Sequence, residues 1–324
     1  MFDLITIGDS LVDIFFIIDE GNSNCFLDRD KKKLCFNYAE KMVIEQSTHA
    51  VGGNAANVAV GARMLGLKTA IVTELGDDIN GQVVIDTLQK ARVDLSLIHI
   101  HKNKETRYSV VLNYQSERTI LSYHTERMYT LPTLPNVSWI YYTSLGKNFE
   151  KLQKQLLLYL KKHPDVKLAM NPGSYQIADG LAATKDMLPH TALLVVNKEE
   201  AAKLIQKTPR TDVQTLLKAL VARGAEMAVI TDSTNGSYAL YNNDVLHMPS
   251  YPIKAKARTG AGDAYTSGFL SATILGKPMS DAMMWGTANA SGVIQEFGAQ
   301  KGLLTKKRIA QIIEDHPFVY PKPL

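Results

Sequence analysis

The chain has 324 residues, 45% hydrophobic and 21% charged, the make-up of a soluble globular protein with room for one large α/β domain or two smaller ones. Its net charge of +4 is scattered rather than blocked, which argues against nucleic acid or a membrane surface as partner. Two cysteines, Cys25 and Cys35, are too few for a disulfide framework or a four-ligand zinc site, and free thiols are expected.

In chain order, residues 4–7 read as a short buried strand, broken at Gly8 and resuming over 11–18. Residues 15–50 read as strands around the charged turn 28–33, which could bring the two cysteines near each other. Gly52-Gly53 opens a helix that runs to about Leu65 and stops at Gly66. A strand at 70–74, a helix at 81–91 and a strand at 95–100 follow, then a hairpin, 106–112 and 118–123, around Asn113-Tyr114-Gln115-Ser116. From Trp139 onward strands (140–143, 167–170, 193–196, 227–231, 237–241) alternate with helices (150–162, 198–206, 213–223). That rhythm predicts a mostly parallel sheet covered on both faces. The β-rich stretches do not fit it. The expected organisation is an α/β core of residues 1–13, 49–97 and 127–316, a small β lid of 14–48 and 98–126, and an irregular tail, 317–324. The first residues lack a basic signal-like region and no apolar run reaches spanning length, so a cytoplasmic protein is expected.

The most telling motif is Arg258-Thr259-Gly260-Ala261-Gly262-Asp263-Ala264, a strand end, a glycine turn and a helix from Asp263 to about Leu275. Backbone N–H groups at such a helix start lack intrahelical partners and sit at the positive end of the helix dipole, an anion site that the glycines let a phosphate approach. A carboxylate there suits a proton acceptor for a group attacking that phosphate, although an acid in a first helical turn can be purely structural. Gly52-Gly53-Asn54-Ala55-Ala56-Asn57 places two amides three apart on one helix face, suited to hydroxyl groups or to helix capping. Asp13, inside an apolar run, needs a polar partner, either sugar hydroxyls or backbone. Asn197-Lys198-Glu199-Glu200 ends a strand, where Asn197 and Glu200 could hold hydrated magnesium or form a capping box. The polar turn from Thr231 to Gly236 could wrap a nucleotide.

Taken in order, Asp13, Gly-Gly-Asn-x-x-Asn, Asn-x-x-Glu and Thr-Gly-Ala-Gly-Asp resemble the ribokinase-like sugar kinases, the PfkB carbohydrate kinase family, over residues 5 to about 304, with Gly298-Ala299 included. The resemblance implies a three-layer α/β/α fold with a mostly parallel central sheet and a small β-sheet lid. It also implies an ATP-dependent kinase that uses Mg2+ and phosphorylates a hydroxymethyl or other hydroxyl of a small sugar. Asp263 would be the general base, with Gly260, Ala261 and Gly262 as anion hole. Asp13, Gly52, Gly53, Asn54 and Asn57 would bind the sugar. Asn197 and Glu200 would serve magnesium through water, and Thr231, Gly236, Arg258, Thr259 and Asn289 would line the nucleotide site with Asn197. A homodimer through the lid strands is a further implication.

Three departures matter. Relatives carry an acid before the glycine motif that helps hold a monovalent cation; Ala257 and Arg258 stand here, so a potassium requirement does not carry over and the Arg258 guanidinium could replace the ion or face solvent. Ser233 stands where glycine is usual in the nucleotide turn. An acidic substrate would want an arginine, for which Arg107 on the lid hairpin is the candidate; a nucleoside would want stacking on Phe15, Phe16, Tyr108 or Tyr123. A P-loop is excluded because Leu67 displaces the lysine of the near-match 61–69, which ends a helix rather than starting one, and a Rossmann fingerprint is missing after the first strand. A catalytically quiet sugar-binding protein on this fold is the remaining alternative, disfavoured by the retained Asp263 and its flanking glycines.

Overall fold

The computed structural model describes residues 1–31, 33–115, 117–178 and 180–324. Lys32 of the expected charged turn and Ser116 of the expected hairpin turn lie outside the described residues. A nine-stranded sheet forms the centre, in the order Lys322–Pro323, Asp244–Met248, Ser237–Tyr241, Met227–Thr231, Thr191–Asn197, Lys167–Met170, Val137–Tyr142, Phe2–Ile7 and Thr69–Val72. From Met227–Thr231 to Thr69–Val72 the neighbours are parallel; the strands on the other side are antiparallel. The parallel strands are near-continuous runs of buried apolar residues, as a sheet covered on both faces requires. One apolar cluster packs Leu152, Leu156 and Leu160 of helix Glu150–Lys162, with Leu216 and Leu220 of Val213–Val221, on one face; a second packs Phe269 and Leu270 of Ala261–Ile274 and Met283 of Met279–Val293 on the other. The expected three-layer α/β/α fold with a mostly parallel sheet is therefore present. Among the described residues no helix is long and apolar enough to cross a membrane.

A second sheet of four strands, in the order Glu117–Tyr123, Tyr108–Tyr114, Leu11–Ile17 and Gln46–Gly52, stands apart from the first. Its outer strand exposes Ile120 and Leu121. Leu11–Ile17 pairs antiparallel with Gln46–Gly52 and parallel with Tyr108–Tyr114, so Asp13 lies between Ala50 and Ser109.

Several elements differ from the sequence reading. The expected strand at 95–100 shortens to His99–His101, which pairs with Glu74–Gly76 rather than with the four-stranded sheet. The tail is not wholly irregular. Lys322–Pro323 adds an antiparallel edge to Asp244–Met248, and Leu324 N–H donates to the Val245 carbonyl at 3.0 Å. A proline is tolerated there because an edge strand has one row of backbone groups free of partners. The cysteines also part company: in the hairpin Cys25–Asp28 with Lys33–Phe36, Cys25 faces Phe36 and Cys35 faces Phe26, so the two thiols lie on opposite faces and both are free.

Candidate active site

Five parallel strands end in a row at one edge of the central sheet, and the candidate residues gather there: Asp9 after Ile7, Ser144 after Tyr142, Asn171 after Met170, then Asn197 and Thr231. Over this edge stand two helices, Asn54–Met64 and Ala261–Ile274. They pack where Gly61 meets Ser267; a Cβ on Gly61 would lie 2.3 Å from the Ser267 hydroxyl oxygen. Asn57 and Asp263 each lie four residues before that contact, so the helices run side by side in the same direction with their positive ends together. That arrangement brings residues 206 positions apart into contact: Asn57 Nδ2 donates to Asp263 Oδ2 at 2.8 Å. Gln300 Nε2 donates to Asn57 Oδ1 at 3.0 Å and so orients the amide. Burial pushes the Asp263 pKa up from 3.8 to about 6; the Asn57 bond opposes the rise, and the carboxylates of Glu200 and Asp13 add to it.

The glycines divide by cause. Gly260 caps the helix in the left-handed region at φ 79°, and a Cβ there would lie 2.3 Å from that of Ala299. Gly262 is helical, exposed, and would meet nothing within 4 Å. Nothing in the protein requires glycine at Gly262, whereas an anion approaching the free N–H groups would.

On the opposite side, Asp13 is 9% exposed with its pKa raised to about 6 by burial, against a hydrogen bond from Ser109. A Cβ on Gly52 would fall 2.3 Å from Asp13 Oδ2, so glycine there makes room for the carboxylate. Gly53 (φ 92°) caps the Asn54–Met64 helix with its Cα against the Asp9 carbonyl, leaving the Asn54 side chain free of capping. Asn54 Nδ2 reaches Asn171 Oδ1 at 3.5 Å, and Asn171 Nδ2 donates to the Val195 carbonyl at 2.7 Å. Asn197 and Glu200 form a capping box, 2.8 and 2.9 Å, which occupies one carboxylate oxygen of Glu200. Burial raises the Glu200 pKa, opposed by that backbone bond and by Asn171. A half-buried carboxylate at the strand-end edge, set beside the amides of Asn171 and Asn197, fits a water-mediated magnesium site. Thr231 ends its strand beside Asn197, and Gly236 (φ 89°) closes the turn after it, backed by the Lys198–Asp232 ion pair at 3.2 Å. Ser233, in place of the usual glycine, takes φ 49°.

Other candidates sit differently. Arg107 is buried, ion-paired with Asp9 and in contact with His124, whose pKa falls to about 4 through burial and the Arg107 charge. Asn289 is fully buried: its amide donates to the Ala264 carbonyl and the Ser267 hydroxyl and accepts from Leu304 N–H, all near 2.9 Å. It braces the Ala261–Ile274 helix instead of facing the nucleotide turn. Arg258 is exposed, and with Thr259, Lys256, Arg118, Glu20 and Glu45 it lines a cavity of about 380 Å3 between the four-stranded sheet and the stretch before the glycine turn, which is irregular rather than the expected strand end. Phe15 is 1% exposed and unavailable for stacking. Asn171 and Gln300 escaped the sequence reading. Asn171 carried a signal, a polar residue directly after an apolar strand and before Pro172-Gly173; Gln300 carried none.

A family model for pfkB family carbohydrate kinases matches residues 17–306, and the chain belongs to that family. It is an ATP-dependent carbohydrate kinase. The 5-dehydro-2-deoxygluconokinase of Bacillus licheniformis is 25% identical over 281 residues, covering 81% of this chain and 86% of the relative. The ribokinase of Arabidopsis thaliana complexed with ribose and ATP matches the fold with a TM-score of 0.79 at 18% identity, over 97% of this chain and 99% of that one. The nucleoside kinase of Methanocaldococcus jannaschii, an archaeal member of the ribokinase family, gives 0.77 at 20% identity over the same shares, 97% and 99%.

Proposed function

We propose that the chain transfers the γ-phosphoryl group of ATP to a hydroxyl of a small sugar, with Asp263 as general base. The carrying observation is the Asp263 carboxylate, with a pKa near 6, at the joined positive ends of two helices and hydrogen-bonded to Asn57. Such a base is ionised at neutral pH yet still basic enough to take a hydroxyl proton as the oxygen attacks. The sugar hydroxyl lies where Asn57 and Asp263 both reach it, while Asp13 and Asn54 hold its neighbours. The N–H groups of Gly260 and Gly262, with that of Ala261 once it releases its long 3.4 Å bond to the Arg258 carbonyl, receive the charge that develops on the transferring group, so the protein's part is positioning and charge stabilisation. Asn197 and Glu200 would hold Mg2+ through water, and the ion would supply charge neutralisation on the phosphates. Thr231 and Gly236 would flank the nucleotide, and the four-stranded sheet would close over the sugar to exclude water.

The substrate reading is a neutral sugar, because Asp9 already matches the Arg107 charge that an acidic sugar would use. A nucleoside is the second reading, for which the Tyr108–Tyr123 ring pair, 5.0 Å between centroids on adjacent strands of the four-stranded sheet, would supply an aromatic surface. Turnover with ribose and fructose should exceed that with 2-keto-3-deoxygluconate and with adenosine. Preference for adenosine, lost in Tyr108→Ala, would establish the second reading instead.

A further inference from the structure

Outside the candidate active site, Glu74, His99 and His101 converge. Their ligand atoms all lie within 4.8 Å of one another, the one such group of three among the described residues. The backbone makes this meeting place. Glu74–Gly76 and His99–His101 pair in parallel with Glu74 opposite His99 and Gly76 opposite His101, so the three side chains leave one face of a two-stranded ribbon. Glu74 is buried, His101 half-buried and His99 exposed, which grades the cluster from the protein interior to solvent. The His101 ring contacts the Glu74 carboxylate directly, and the two imidazoles stand edge to face with centroids 4.5 Å apart. A His–Glu pair accounts for two of the groups. The third imidazole, His99, is exposed and hydrogen-bonded to neither, so its ring nitrogens are free to ligate a cation shared with the pair.

We propose that Glu74, His99 and His101 form a site for a borderline divalent transition metal, Zn2+ foremost. Two imidazoles and one carboxylate are a donor set for zinc and its neighbours in the first row, not for Mg2+, which takes oxygen ligands. To admit the ion the His101–Glu74 contact opens until nitrogen and oxygen stand about 3.3 Å apart, the spacing of two ligands at tetrahedral angle and bond lengths near 2 Å. The exposed side leaves a fourth position for water. Arg127, which donates to the Glu74 backbone carbonyl and to the Glu105 carbonyl at 2.6 Å, sets a positive charge nearby that holds the affinity to a moderate level. The position gives the site its role. His101 leads through Thr106, whose hydroxyl accepts from Gly76 N–H at 2.9 Å, into the lid strand Tyr108–Tyr114, so the ion staples the root of the lid to the core.

The test is equilibrium dialysis and calorimetric melting of the tag-free, EDTA-treated chain with Zn2+, in parallel with His99→Ala, His101→Ala and Glu74→Gln. The expected result is one Zn2+ per chain, a rise in melting temperature that saturates with it, and loss of both in His99→Ala, whose exposed side chain the fold does not need. Mg2+ at the same concentration should not displace the ion. Failure of the wild type to take up Zn2+, or uptake undiminished in His99→Ala, overturns the proposal.

Discussion

The Asp263 carboxylate has its pKa lifted from 3.8 to about 6, so the folded chain binds its proton more tightly than the unfolded chain does. Between those values the folded state holds more protons, and stability falls as pH rises through the window; the deficit is complete above about pH 6. Asp263→Asn, which keeps the shape, should therefore melt at a higher temperature than the native chain near pH 8, a gain that disappears below 3.8. Its kcat should fall by about 10²- to 10⁴-fold, the share a general base supplies. For the native chain, kcat/KM should drop about tenfold per pH unit below 6. A pH profile flat down to 5 would remove Asp263 from the base role. The two glycines of the turn give a sharper contrast. Gly262→Ala meets no atom and gains helix propensity, so it should stabilise by up to about 1 kcal/mol while depressing kcat. Gly260→Ala forces a Cβ into Ala299 at a left-handed position and should destabilise by more than about 1 kcal/mol. The motif at 258–264 was legible in the sequence because a turn, a helix start and an acid occupy consecutive positions. The Asn57–Asp263 bond was not, because nothing local links residues 206 positions apart.

At the scale of elements, the Gly61–Ser267 contact sets the approach of the two helices that carry the site. Gly61→Val should push them apart, cost about 1–3 kcal/mol by overpacking, and lengthen the Asn57–Asp263 separation. Activity should then fall far more than melting temperature, and the two read together distinguish lost alignment from lost folding. The strands and helices of the core were readable from apolar runs and their alternation, since parallel strands buried on both faces leave little ambiguity. The errors lay at edges. The strands at Asp244–Met248 and Lys322–Pro323 are half exposed, with no alternation strong enough to announce pairing. His99–His101 joined the core because its pairing is decided by Glu74–Gly76, well upstream in the chain, and not by any local signal. Asn289 was assigned to the nucleotide by resemblance, whereas its three buried hydrogen bonds make it a brace.

For the whole molecule, Asn54, Asn171 and Glu200 link the row of strand ends, joining the proposed sugar side to the proposed phosphate side, and in the proposed function the four-stranded sheet closes over the first of these. A lid that excludes water should make ADP release depend on the sugar, with little hydrolysis of ATP alone. Arg258 is exposed beside the glycine turn, next to Ala257, where the family resemblance leads one to expect a cation-holding acid. Potassium chloride should accordingly stimulate the reaction little, and strong stimulation would contradict a role for Arg258 in place of the ion. The central claim is tested most directly by ADP release from Mg-ATP with ribose, fructose, 2-keto-3-deoxygluconate, a hexose phosphate and adenosine, in the native chain and in Asp263→Ala. The account predicts turnover with a sugar that collapses in the variant while its melting temperature holds. Turnover that survives the loss of Asp263, or none with any acceptor, would contradict it.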